Sequence, residues 1–279
     1  MRIPKPSKTF LNTDRQLRSG WWVLIFLLVL ASIFVPALLI TQQNGADVSI
    51  GLQAMIIALA SLICQILHRK PLAELLGKMD GRWFKELCLG GLVGSALMIA
   101  PALILYIFGW VTWQGSPSGF SEVLSSIYLF LGVAVAEEML FRGFIFQRLL
   151  SGIGQRPAQL IIAGFFLLTH TNNPGMAGSI QILASINIFL ASILFGLAFI
   201  RTRKLAMPLG LHFMANLMQG GVLGFGVSGT GQSGLLMPIF TDVPEWLTGG
   251  AFGLEASIFG LLFVVLALIL LYHWKPQAG

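Results

Sequence analysis

Three stretches of this chain carry polar side chains at helical spacing inside otherwise apolar sequence. They are Glu137, Glu138 and Arg142 in AVAEEMLFRGF, Phe166 and His170 in FLLTH, and His212 and Asn216 in HFMAN. Glu138 and Arg142 are four residues apart, share a helix face and can form an ion pair. Glu137 is rotated by about 100° from Glu138 and points elsewhere. One glutamate is thus suited to pairing and the other is available for chemistry. A glutamate in a low-dielectric site can take a proton from water. One imidazole can orient that water, while a second imidazole and an amide donate hydrogen bonds to a developing oxyanion. Glu137, His170 and His212 are also a zinc ligand set in chemical type. However, the HExxH spacing is absent, and the three ligands would come from three helices.

Each residue has a plainer reading. Glu138 and Arg142 could be a buried clamp between helices. A lone intramembrane histidine often serves as an interhelical hydrogen-bond partner. Phe166 alone is indistinguishable from core packing, and His68 and His273 lie at helix ends, where an interfacial role suffices. Only the combination points to a site. Ionisable groups at bilayer depth cost about 3 kcal/mol or more, which makes each of them a functional hypothesis.

The elements that position these residues are membrane helices. Of the 279 residues, 56% are hydrophobic and 10% charged, with a net charge of +6, against about 25% charged in soluble domains. The spacing predicts eight spans, near 21–41, 50–68, 87–109, 122–148, 157–171, 179–200, 205–222 and 254–273. The fifth is short and the fourth long for the ~20 residues a span requires. Every Lys and Arg except Arg142 falls at the N-terminus, in alternate connections or after the last span. The connections near 42–49, 110–121, 172–178 and 223–253 contain none. This alternation predicts that both termini are cytoplasmic, and it argues against nucleic acid as the partner of the positive charge. The chain reads as an all-α, multi-pass membrane protein, with a basic segment 1–20 including Arg2, Lys5, Lys8, Arg15 and Arg18. A single helical domain 21–279 follows, with its core near 120–220. The first span is too long for a signal-peptide core and lacks a clear cleavage site. Counting 1.5 Å per residue from the cytoplasmic ends puts Glu137 and His170 about 20 Å deep, Asn216 about 18 Å and His212 about 12 Å. One cavity could hold all four.

Other features carry less. Cys64 and Cys88 lack metal or redox spacing. Glu255 opens the last span. The segment GVSG at 226–229 looks like the GxSG of rhomboid serine proteases, but it sits in a Gly-rich stretch expected to pack across the outer face. The only later histidine, His273, is predicted on the opposite side, so a Gly-rich turn is the better reading. Neither an inverted repeat nor a matched pair of broken helices suggests a transporter.

EEMLFR, FLLTH and HFMAN, in that order and on separate spans, resemble the EExxxR, FxxxH and HxxxN/D motifs of the CPBP family of intramembrane proteases. That family includes CAAX prenyl endopeptidases and relatives labelled as abortive-infection (Abi) or bacteriocin-immunity proteins. The resemblance implies an integral membrane endopeptidase, in a bacterial inner membrane, acting on a peptide or membrane-protein substrate that can be lipidated. By resemblance Glu137 is the general base, assisted by His170. His212 and Asn216 stabilise the oxyanion, and Glu138, Arg142 and Phe166 support them. A metal-free mechanism without cofactor is expected, with a zinc-dependent version as the alternative. A non-catalytic immunity or scaffold protein of the same family is the competing class.

Overall fold

A computed structural model describes residues 9–12, 16–117, 119–231 and 233–275. Most of the basic N-terminal segment, including Arg2, Lys5, Lys8 and Arg15, lies outside the described residues. Five stretches are long and apolar enough to cross a membrane: Ser19–Gln43, Ile50–Leu67, Ala73–Ile107, Gly119–Ile153 and Gly178–Thr202. Ile258–His273 is a shorter apolar helix. The protein is a multi-pass helical membrane protein. Its outer surface is rich in large exposed apolar side chains, such as Leu28, Leu92, Ile107 and Leu270, as a helix facing lipid requires.

In chain order the helices are α1 (Ser19–Gln43), α2 (Ile50–Leu67), α3 (Ala73–Leu76), α4 (Gly81–Ile107), α5 (Gly119–Glu138), α6 (Ile145–Ile153), α7 (Gln155–His170), α8 (Gly178–Thr202), α9 (Ala206–Asn216), α10 (Glu245–Thr248) and α11 (Ile258–His273). The long fourth span of the sequence reading is broken. α5 passes through a π-helical turn, Met139–Phe144, and Gly143 leaves helical geometry at φ −73° and ψ −122° before α6 begins. α9 likewise runs into a π-helical turn, Leu217–Val222. α7 has 16 residues and α9 has 11, so neither meets the spanning length on its own.

The connections are not all irregular. β1 (Val111–Gly115) and β2 (Leu236–Phe240) pair antiparallel, with Val111 opposite Phe240. This adds a small ribbon to the expected all-α architecture. Trp113 anchors it by donating Nε1–H to the carbonyl of Leu223 at 3.0 Å.

α4 and α9 pack most closely because both present glycine at their contact. A Cβ on Gly90 or Gly94 would strike the carbonyls of Met207 and Leu211, and one on Gly210 would strike the carbonyl of Leu87. Small residues let membrane helices approach to backbone contact. This holds α9, and with it His212, against the bundle. At the end expected to be cytoplasmic, Asp80 caps α4 by accepting from the Trp83 N–H at 2.9 Å. Lys204 ties the start of α9 to the same corner, 3.3 Å from Asp80 and 3.6 Å from Glu86.

Candidate active site

Glu137 and Glu138 are the last two residues of α5, and the following π-helical turn carries Arg142 under them. Arg142 is fully buried and Glu138 is 1% exposed. Arg142 donates from Nη1 to Glu138 Oε1 at 3.2 Å. From Nη2 it donates to the Ser192 carbonyl at 2.9 Å and the Ser192 hydroxyl at 2.7 Å. Its guanidinium also lies 5.0 Å from the Phe166 ring and 5.1 Å from Phe195. An ionised group in a dry interior is tolerated because its charge is matched and both terminal nitrogens are hydrogen-bonded, although Nε is left without a partner.

Glu138 does more than neutralise arginine. Its Oε1 is also 2.8 Å from His212 Nδ1. A carboxylate only accepts, so Nδ1 carries the proton and Nε2 faces away. The ring is stacked on Phe195, with centroids 5.0 Å apart at 15°. His170 is fixed by the same logic. Its Nδ1 lies 2.7 Å from the Phe166 carbonyl, one turn back on α7, and its ring packs 4.5 Å from the Phe166 ring.

Both Nε2 atoms therefore point at the remaining glutamate. Glu137 Oε1 is 4.0 Å from His170 Nε2, and Oε2 is 3.8 Å from His212 Nε2. Glu137 keeps 26% of its side chain exposed, against 1% for Glu138. Its Oε2 is buried and has no hydrogen-bond partner. Such an unmatched buried acceptor is costly unless something else completes it. All three residues and Asn216 line one cavity of about 400 Å³, together with apolar side chains such as Leu129, Phe130 and Val133.

α8 is the spine of this arrangement. Ser192 holds Arg142, Phe195 stacks on His212, and Asn187 reaches the far end of the cavity. Two π-helical turns flank the site, one after Glu138 and one after Asn216. π-Turns are rare and recur at functional sites. Here each ends a straight helix directly after its polar residue.

The same cavity holds a group that the sequence reading left aside. Glu255, in a 3₁₀ turn before α11, lines it with Ser228, Gln219 and Asn187. The Gly-rich loop does not merely cross the outer face; its segment 226–229 reaches the cavity. The Ser228 hydroxyl lies 3.2 Å from Glu255 Oε1. A polar loop residue coming within reach of an acid at a helix start was the available signal, but nothing in the spacing linked positions 228 and 255.

Zinc calls for three or four ligands converging on one point about 2 Å from each donor. Among the described residues no group of three or more His, Cys, Asp or Glu is placed to hold a metal ion. Glu137, His170 and His212 are zinc donors in type without that convergence.

Residues 119–218 match the family model described as type II CAAX prenyl endopeptidase Rce1-like. The match supports the CPBP/CAAX protease family over less than half of the chain. It opens at the start of α5, closes just after Asn216 and contains all three polar motifs. The family implies an intramembrane CAAX protease, and so a peptide substrate met in a lipid environment. No curated protein matches the chain.

Proposed function

We propose that this protein is an intramembrane endopeptidase in which Glu137 is the general base. The observation that carries the reading is the pair of imidazole Nε2 atoms, 4.0 and 3.8 Å from the two oxygens of one carboxylate. Each ring has its Nδ1 proton held elsewhere, by the Phe166 carbonyl or by Glu138. The separations are too long for direct hydrogen bonds, but they suit a group bridged by water.

The reaction follows from those positions. Water between Glu137 and His170 gives a proton to the Glu137 carboxylate as its oxygen attacks the scissile carbonyl carbon. The oxyanion that forms accepts hydrogen bonds from the Asn216 amide and from His212. For His212 to donate at Nε2 the ring must carry both protons, and Glu138 is the carboxylate that accompanies such an imidazolium. When the C–N bond breaks, Glu137 passes its proton to the departing amine. The nucleophile is water, no electron transfer is involved, and the products are an acid and an amine.

The cavity wall is largely apolar, which suits a hydrophobic or lipidated peptide. A prenylated C-terminal segment is the substrate class we propose. The experiment is hydrolysis of a fluorogenic farnesylated peptide by purified protein in liposomes. Wild type is expected to cleave, while Glu137→Gln, folded, does not. Equal rates would remove Glu137 from the chemistry.

A further inference from the structure

The cavity has two polar ends, and only one of them belongs to the hydrolytic machinery. The other is built around Glu255. Ser228 has a left-handed backbone at φ +49°, a conformation that costs a non-glycine residue about 1–2 kcal/mol. In that conformation both its N–H and its hydroxyl reach Glu255 Oε1. Gln219 approaches the same oxygen with Nε2 at 3.4 Å, while holding the Gly226 carbonyl at 2.6 Å. Asn187 donates Nδ2–H to the Glu255 backbone carbonyl.

All three side-chain bonds to Glu255 fall on Oε1. None of the described ion pairs contains Glu255. Asn187, 1% exposed, also has a buried Oδ1 with no partner. The buried acceptor left open at this end is therefore Asn187 Oδ1, beside a carboxylate whose described bonds all fall on Oε1; the histidines that share the cavity, His170 and His212, have their Nε2 atoms turned to Glu137. Ser228 and Glu255 lie outside the segment that matches the protease family, residues 119–218, and Gln219 lies just past its end. Asn187, on α8, lies inside that segment, so this end joins it to the C-terminal part of the chain.

We infer that the Glu255 end of the cavity is a substrate subsite for a positively charged side chain, a lysine ammonium or an arginine guanidinium. A half-buried carboxylate in an ion pair with none of the described residues favours a cationic partner. A ligand bringing N–H donors and one positive charge pairs with the Glu255 carboxylate and satisfies Asn187 Oδ1 at once. The inference rests on the protease reading, because it takes the cavity's occupant to be a peptide.

Its test is chosen to separate the two ideas. A farnesylated peptide is scanned with lysine, norleucine or glutamate at each position upstream and downstream of the lipidated cysteine. Binding to full-length Glu137→Gln protein in nanodiscs is read by fluorescence anisotropy. At one position lysine should bind about tenfold tighter than norleucine, with glutamate weaker still. Adding Glu255→Gln, which keeps the hydrogen-bond geometry but removes the charge, should bring the lysine-to-norleucine ratio to about one. Asn187→Leu should reduce the ratio by a smaller factor. The peptide comparison needs no change at Glu255, so it stands even if that variant fails to fold. Absence of a lysine preference at every position, or a preference untouched by Glu255→Gln, overturns the subsite. A lysine preference in binding, with no cleavage of any peptide by wild type, would instead overturn the protease reading and leave the subsite intact.

Discussion

Arg142→Met is the perturbation whose size the structure fixes best. The side chain is fully buried, pairs with Glu138 at 3.2 Å and spends two further bonds on Ser192. Methionine has a comparable shape, so cavity formation is a small part of the effect. What is lost is the positive charge beside a carboxylate that is itself 1% exposed. Removing one partner of a buried ion pair costs about 3–5 kcal/mol. The Ser192 contacts lie within that figure and should not be added to it, because groups in one network do not sum. The assay is SDS-titrated unfolding in micelles, followed by tryptophan fluorescence. Arg142→Met is expected to lower stability by about 3–5 kcal/mol. Combining it with Glu138→Gln should recover part of that loss, because the stranded charge is gone. Glu137→Gln is the control and is expected to change stability by less than about 0.5 kcal/mol. A loss below about 0.5 kcal/mol for Arg142→Met, or strictly additive effects in the double variant, would refute the picture of a load shared between these two residues.

Further predictions concern the supports of the site. Glu138→Leu should lower kcat more than it raises KM, because His212 loses the acceptor that fixes its Nδ1 proton; an unchanged kcat would break the link between Glu138 and His212. Gly94→Val, which sets a β-branched side chain against the Leu211 carbonyl, should destabilise by about 1–3 kcal/mol or more in the same unfolding assay, and an unaffected protein would contradict the close α4–α9 contact. Purified protein is expected to hold less than stoichiometric zinc by elemental analysis and to keep its activity in chelator. Stoichiometric zinc lost together with activity would instead favour the ligand set Glu137, His170 and His212.

The parts of the site that could be read from the sequence are those set by short-range helical geometry. A separation of four residues puts Glu138 beside Arg142, and a separation of one turns Glu137 away; both follow from the pitch of a helix. The same pitch puts the Phe166 carbonyl within reach of His170. The contact between His212 and Glu138 joins α9 to α5 and has no local signature. The π-helical turns at Met139–Phe144 and Leu217–Val222 were equally hidden, because one extra residue per turn leaves hydropathy unchanged. That is why residues 122–148 read as a single long span. Glu255 and Ser228 meet through a Gly-rich loop whose path depends on close backbone contacts, such as Gly253 against the Gly226 carbonyl. Loop paths of that kind are tertiary facts. The β1–β2 ribbon joins segments more than a hundred residues apart and was likewise beyond periodicity.

The central claim is that Glu137 takes the proton from water. It is tested most directly by single-turnover cleavage of a farnesylated fluorogenic peptide by wild type, Glu137→Gln and Glu137→Asp in liposomes at matched protein level. General-base assistance contributes about 10²–10⁴ in rate. The reading predicts a loss of at least that order for Glu137→Gln, with peptide binding retained, and partial activity for Glu137→Asp. Cleavage by Glu137→Gln within a few-fold of wild type would contradict it.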